Sequence, residues 1–320
     1  MDDTRRPEPT TSNGLWDVAV GIADLIDEYL LGWVLLSVVI GLTVPSLAEL
    51  TPYSLPILAV MIGSVSLTLS PERFRRLRPR PLAAILVVQS GMPFLAFVIA
   101  RALGFSPAIT AGFVVLGAVT PELVTPTMTE LGGGDTALAT VALVSVGLGT
   151  LVFVPGMVAL LLGQSLAVDP WLIVEQLVLA VVLPMTVAVG LRYRWPDRVG
   201  RYDDLYPSVS GLMVVLIIGI VTAANAALVT ADGALLLVVA AAALLFNLIG
   251  YAAGWMTSWS FERPERIAVT LSVGMRDFAV AAALLVGAGF PAGATLPAVV
   301  FGIIEMTTSA GLAKWFARSE

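Results

Sequence analysis

The chain of 320 residues has no cysteine, no histidine and a single lysine, and only 12% of its residues are charged. Without cysteine there are no disulfides, iron–sulfur clusters or thiolate metal sites, and without histidine the commonest neutral metal ligand and proton shuttle is missing. Chemistry built on either residue is therefore excluded. There is no G-x-x-x-x-G-K-[ST] phosphate loop, so ATP-driven transport by this chain alone is excluded as well. Asp and Glu outnumber Lys and Arg by 23 to 17, and the pI near 4.8 argues against nucleic acid or an anionic membrane surface as partner. Residues 1–13 are polar, which predicts a first span that inserts and stays rather than a cleaved signal peptide.

What the chain has is apolar length. Hydrophobic residues make up 58% and the mean hydropathy is +0.94, which fits a polytopic protein of the lipid bilayer and no soluble domain. A membrane-crossing helix needs about 20 apolar residues. On that ruler ten spans are expected, centred near Leu36, Met61, Phe94, Val115, Leu148, Val182, Val215, Ala243, Ala281 and Ile303. Reading the loops alternately puts Arg5, Arg6, Arg73, Arg75, Arg76, Arg78, Arg80, Arg192, Arg194, Arg198, Arg201, Arg263, Arg266, Lys314 and Arg318 on one side, with only Arg101 opposite and Arg276 inside. By the positive-inside rule the expectation is a multi-pass protein of the cell membrane with both termini cytoplasmic. The stretch from Asn13 to Tyr29 mixes apolar residues with Asp17, Asp24, Asp27 and Glu28 and reads as an interfacial amphipathic helix.

Two segments about half a chain apart interrupt this pattern. Thr120-Pro121-Glu122-Leu123-Val124-Thr125-Pro126 and Ser272-Val273-Gly274-Met275-Arg276-Asp277 bring charge and helix breakers into apolar runs. Unwound backbone is tolerated in hydrocarbon only where it meets protein or lines a cavity, and paired interruptions in two halves mark transporter sites. The predicted organisation is residues 1–28 as an N-terminal cytoplasmic or interfacial segment, 29–163 as a first set of five spans, and 170–316 as a second. An odd number per half inverts the second, so the expected fold is all-α, two inverted five-helix repeats with discontinuous fourth and ninth helices.

Four motifs in order carry a resemblance over the whole membrane region: Met61-Ile62-Gly63-Ser64-Val65-Ser66-Leu67-Thr68-Leu69-Ser70-Pro71-Glu72-Arg73-Phe74, Gln89-Ser90-Gly91-Met92-Pro93, Met128-Thr129-Glu130-Leu131-Gly132-Gly133-Gly134-Asp135, and Val273-Gly274-Met275. Together they resemble the bile acid:sodium symporter family. The resemblance implies a panel domain and a core domain, interrupted helices crossing in the core, alternating access, and an organic anion as substrate. It also implies sodium sites of side-chain oxygens and backbone carbonyls. Of those side chains only Gln89 matches. Thr125 and Pro126 stand where the family has Ser-Asn, Ala139 and Leu143 replace polar positions, Ser272 replaces a Glu, and Arg276 and Asp277 replace Gln and Asn. A hard cation needs several oxygens and a guanidinium supplies none.

These departures point to a pre-charged site in which Arg276 stands in for sodium with Glu122 and Asp277 as counter-ions, and coupling passes to protons or is lost. The alternative is a purely structural Glu122–Arg276 pair. Asp277 has a second reading as a helix N-cap. Glu305, far from either loop in the last span, is the candidate proton carrier or else a structural carboxylic acid. The site expected for substrate or ion is thus Gln89, Glu122, Thr125, Pro126, Ser272, Arg276, Asp277 and Glu305. No cofactor is expected, Gln89 is the one side chain suited to sodium, and the coupling ion is read as sodium or a proton. Asn225 and Asn247 are read as interhelical hydrogen bonds.

Two other functions have signals in the sequence. The segment around Glu305 also resembles the last helix of arsenite-efflux permeases, but the fourth-span cysteine of that group is absent. Gly132-Gly133-Gly134-Asp135 with Tyr202-Asp203 matches the short motifs of intramembrane aspartyl proteases, in reversed order and in loops, whereas two aspartates that share a proton must sit together.

Overall fold

A computed structural model describes residues 29–68, 79–163 and 169–318, together with Val18, residues 20–23, Leu25 and Ile26. The remainder of the expected amphipathic segment, the 69–74 end of the first motif, Arg73, Arg75, Arg76 and Arg78, and most of the link between the halves lie outside the described residues. Among the described residues the fold is all helical: α1 (Leu30–Thr43), a 3₁₀ segment (Pro45–Tyr53), α2 (Ser54–Ser66), α3 (Pro79–Ala102), α4 (Pro107–Ala118), α5 (Thr125–Leu131), α6 (Thr136–Leu162), α7 (Pro170–Leu177), α8 (Leu183–Arg194), α9 (Pro196–Gly200), α10 (Tyr206–Ala231), α11 (Gly233–Thr257), α12 (Arg263–Gly274), α13 (Phe278–Gly287) and α14 (Leu296–Arg318). A π-helical turn, Val178–Val182, joins α7 to α8.

Among the described residues, eight helical stretches are long and apolar enough to cross a membrane. At the other two of the ten expected positions, Leu36 and Val115, stand shorter apolar helices, Leu30–Thr43 and Pro107–Ala118. The second of these is cut short by its own sequence. Thr120-Pro121 removes a backbone donor and pushes the preceding residue out of helical space, and Val119 is extended at ψ 174°.

Many of the scarce acids do a local job. Asp135, Asp169, Asp232 and Asp277 each accept a backbone N–H of the helix they precede, from Leu138 (3.0 Å), Trp171 (2.9 Å), Leu235 (2.8 Å) and Val280 (2.8 Å). Glu262 and Glu265 form a capping box at the start of α12. Free N–H groups at a helix start carry partial positive charge, so a carboxylate there satisfies a donor and the helix dipole together. The Gly-Gly-Gly-Asp run is such a start: Gly133 takes φ +72°, its neighbour Gly134 closes the turn on the Thr129 carbonyl (2.7 Å), and Asp135 caps α6. Asp203 is bound instead to Arg192 through two guanidinium hydrogen bonds. The two aspartates of the protease motif therefore belong to separate local structures, which removes the basis of that reading.

Packing sorts the helices into two groups, each drawn from both halves of the chain. In one, α10 lies along α1, the 3₁₀ segment and α2, and α8 packs on α2. In the other, α3 pairs with α4, α11 with α12, and α14 with α11 and α13. The interrupted stretch Arg263–Gly287 is the most enclosed part, with 94% of its apolar window buried against at most 56% in any other crossing stretch. Outward side chains such as Val87, Val98, Val152, Leu160, Leu237 and Leu245 are exposed and apolar, as a surface solvated by lipid requires.

Small residues let the backbones approach. A Cβ on Gly112 would lie 1.9 Å from the Ala294 carbonyl oxygen, and one on Gly117 would lie 2.8 Å from the Pro93 Cα. Gly250 and Gly254 form one small-residue face of α11 against α12, where added Cβ atoms would meet the Gly274 Cα at 3.1 Å and the Thr270 Cα at 2.8 Å. The Gly112→Ala substitution should therefore destabilise the protein by about 1–3 kcal/mol through overpacking against backbone that cannot retreat. Thermal unfolding in detergent reads this, with Gly156→Ala, where nothing lies within 4 Å, as the unaffected control. Equal midpoints for the two variants would refute the close-approach account.

Candidate functional site

The two interrupted helices meet at their breaks. Residues 119–124 lie between α4 and α5, and residues 275–277 lie between α12 and α13. The Asp277 backbone N–H donates to the Thr120 carbonyl at 3.0 Å, so each break supplies a partner that the other lacks. Met275 is extended (φ −82°, ψ 136°) and ends α12, and Asp277 then restarts the chain as the N-cap of α13. The capping reading of Asp277 describes its Oδ1, which binds the Val280 N–H, while Oδ2 has no hydrogen-bond partner.

Arg276 lies between these two turns and is 1% exposed. Its Nη1 donates to the Val119 carbonyl at 3.4 Å, whereas Nε and Nη2 have no partner. The expected pairing with Glu122 and Asp277 is not formed. No ion pair within 4.0 Å involves Arg276 among the described residues. Each group is engaged with backbone instead: Arg276 Nη1 donates to the Val119 carbonyl, and Asp277 Oδ1 accepts from the Val280 N–H. Both the counter-ion arrangement and the structural pair read from the sequence are thereby corrected.

On the Arg276 side lies a cavity of about 360 Å³ between α3, α4 and α6, lined among others by Gln89, Ser90, Ser145, Thr150 and Phe153. Gln89 reaches across from α3: its Nε2 donates to the Ser272 carbonyl at 3.5 Å, and its Oε1 has no partner. The Ser272 hydroxyl is buried and unpartnered. A buried cation with two of its three nitrogens unpartnered costs several kcal/mol.

None of the buried acids lines this cavity. Glu122, Asp277 and Glu305 are buried, and the Glu122 carboxyl lies within electrostatic reach of both Asp277 and Glu305. Neither carboxyl oxygen of Glu305 has a hydrogen-bond partner, nor has Glu122 Oε2. The three do not form a group arranged to hold a metal ion among the described residues. Thr125, the first residue of α5, is fully buried with a free hydroxyl, and Pro126 follows it half-buried.

Two residues outside the expected set hold the crossing in place. Asn247 of α11 donates to the Gly274 carbonyl at 3.1 Å and accepts from the Thr308 hydroxyl of α14 at 2.8 Å, tying the last turn of α12 to two helices. Thr308 lies three residues after Glu305, on the same helix face, and that spacing is the signal by which it was legible. Asn225 likewise bridges elements, donating to the Thr295 hydroxyl at 2.6 Å.

Comparison with known proteins places this geometry. The chain is similar to two rice (Oryza sativa subsp. japonica) proteins named "Probable sodium/metabolite cotransporter BASS2, chloroplastic" and "Probable sodium/metabolite cotransporter BASS3, chloroplastic". The first is 25% identical over 81% of this chain and 63% of the relative, and the second 26% identical over 80% and 62%. "Probable sodium/metabolite cotransporter BASS1, chloroplastic" of Arabidopsis thaliana is 23% identical over 77% of this chain and 62% of its own length. The chain thus spans less than two thirds of the curated relatives it matches. The profile of the Sodium Bile acid symporter family matches residues 55–232, more than half of the chain and including the first interrupted helix, and this makes the protein a member of the sodium bile acid symporter family.

Proposed function

We propose that this protein is a secondary active transporter that moves an organic anion by alternating access, with the crossing of the two interrupted helices as its site. The observation that carries the proposal is the bond between the breaks, from the Asp277 N–H to the Thr120 carbonyl, in a region where the Arg276 guanidinium and the Glu122, Asp277 and Glu305 carboxyls are buried with atoms left unpartnered. A fold with no functional demand at this point would avoid burying an unpaired guanidinium.

The two packing groups supply the moving parts. One contains α1, α2, α8 and α10, to which α7 is joined through the π-helical turn although α7 itself packs on α6 and α13, and the other contains α3 to α6 and α11 to α14. Counting α1 and the interrupted α4–α5 as crossings gives ten spans. Each group then takes the same ordinal members from both halves, which supports inverted repeats, a panel and a core. The basic residues clustered on one side support cytoplasmic termini.

Coupling is assigned to protons. The relatives are named as sodium/metabolite cotransporters, and this chain has a guanidinium, Arg276, among its candidate coupling groups where oxygen ligands are needed for sodium. Glu305, Glu122 and Asp277 provide carboxyls that bind and release protons. Loading a proton neutralises a group whose charge hinders passage through hydrocarbon.

Uptake of radiolabelled organic anions into proteoliposomes, with sodium and proton gradients imposed separately, tests the proposal. A proton gradient alone should drive accumulation, and a sodium gradient alone should not; steep sodium dependence would return the site to ordinary sodium coupling. In the same assay, Glu305→Gln should bring pH-driven accumulation down to the gradient-free level while the purified variant keeps its thermal midpoint. An unchanged response to pH would remove Glu305 from the coupling step.

A further inference from the structure

Residues 195–205 join two membrane-crossing stretches, Trp171–Arg194 and Tyr206–Ala231, so this segment lies where the hydrocarbon ends and the lipid headgroups begin. It carries Trp195, Arg198, Arg201 and Tyr202, with Arg192, Arg194 and Tyr206 at its borders. Trp and Tyr concentrate at that depth of a membrane protein, and Arg in the loops of one side. Those tendencies alone make no site, but here the residues also line an open pocket. Its volume is about 290 Å³, and Trp195, Arg198, Val199, Tyr202 and Tyr206 bound it between the end of α8, the short α9 and the start of α10.

We infer that this pocket binds the headgroup of an anionic glycerophospholipid, with the Arg198 guanidinium on the phosphate oxygens and the Trp195 and Tyr202 rings beside the glycerol. The inference goes beyond the transport reading and does not depend on it, since no residue of the helix crossing takes part. Three observations carry it.

The first is charge. Arg198 is the one charged side chain of the lining, it is exposed, and its guanidinium makes no hydrogen bond or ion pair among the described residues. The acids of the segment are placed elsewhere: Asp203 is held by Arg192 through two hydrogen bonds, and Asp197 and Asp204 do not line the pocket. Arg194 adds a second positive charge next to the pocket, its guanidinium 5.7 Å from the centre of the Trp195 ring. A phosphodiester with one negative charge suits this balance, and the paired N–H donors of arginine match two phosphate oxygens. The chain as a whole has a net charge of −6 and no general attraction for an anionic surface, so the contact is local.

The second is order. The turn is braced without a ligand: the Tyr206 hydroxyl donates to the Val199 carbonyl at 3.0 Å, the Leu205 N–H donates to the Tyr202 carbonyl at 2.9 Å, and the Arg192–Asp203 pair ties the end of α8 to the residues before α10. A pocket already in shape loses less freedom on binding. The third is place. The pocket has room for a phosphate with its glycerol, and the rings offer apolar surface with a polar edge at the level where acyl chains begin. Its arginines belong to the basic set that the sequence puts on the cytoplasmic side, where juxtamembrane Arg and Lys meet anionic lipid. Because α8 and α10 belong to the first packing group, a lipid held here ties that group, and not the crossing, to the leaflet.

Native mass spectrometry of the purified full-length protein in detergent, titrated with palmitoyl-oleoyl phosphatidylglycerol or with the corresponding phosphatidylcholine, tests the inference. Phosphatidylglycerol should bind about tenfold more tightly than phosphatidylcholine, and inorganic phosphate in excess should not displace it. Arg198→Gln should abolish that preference, and Arg198→Lys, which keeps the charge and loses the fork, should reduce it in part. Arg101→Gln removes an exposed arginine on the opposite side of the membrane and should leave the preference intact. Thermal unfolding without lipid verifies that the variants fold; if those at Arg198 do not, Trp195→Leu, which takes a ring out of the lining, carries the test and should weaken phosphatidylglycerol selectively. Equal affinity for the two lipids, an equal loss in Arg101→Gln and Arg198→Gln, or an unaltered preference in the folded Arg198→Gln variant would overturn the inference. Displacement by inorganic phosphate would overturn it as well, since that marks a site for the free ion.

Discussion

Every unwound peptide group inside a bilayer must find a partner in the protein, because lipid offers none. The contact between the two breaks, Asp277 N–H to Thr120 carbonyl, answers this demand, and much of the second packing group is arranged to allow it. It requires two backbones in contact. That contact in turn requires glycine at positions 117, 250, 254 and 274, where an added Cβ would strike Pro93, Gly274, Thr270 and Tyr251. It also requires outside help for the carbonyls that remain, and Gln89 and Asn247 supply it to Ser272 and Gly274. The enclosure of Arg263–Gly287 follows from the same demand.

The crossing separates charge. Arg276 and Asp277 are neighbours in sequence, yet one faces a cavity bounded by α3, α4 and α6 and the other shares its surroundings with Glu122 and Glu305. A buried pair of opposite charges in contact would be quiet: neutral, satisfied and of little use to a ligand. Held apart, each remains available, the guanidinium for an anion and the carboxyls for protons. This is the physical content of the transporter proposal, and it explains why four ionisable groups persist buried in an apolar protein.

Outside the crossing the acids have a different use. Asp135, Asp169, Asp232 and Glu262 stand at helix starts, where they bind backbone N–H groups and complement the dipole. Asp277 does the same in the interior, so one residue serves both as an end cap and as a member of the buried acid set. Such economy suits a chain with so few charged residues, and it makes Asp277 a point at which helix geometry and site electrostatics are joined.

The sequence alone determined the membrane class, the places where two helices break, the capping role of Asp277 and the family. Each depends on local composition or on residue order: long apolar runs, Pro and Gly in the wrong place for a helix, a carboxylate just before a helix start, motifs in succession. It overstated the lengths of the helices at Leu36 and Val115, since hydropathy averages over a window and does not register a break at its edge. It also joined Arg276 to Glu122, because two charges near matching breaks look like a pair on paper. Only the tertiary structure decided that they part. Which side of the crossing a side chain leaves from depends on how two backbones approach, and that is fixed by contacts between residues more than a hundred positions apart, such as Asp277 with Thr120 and Arg276 with Val119.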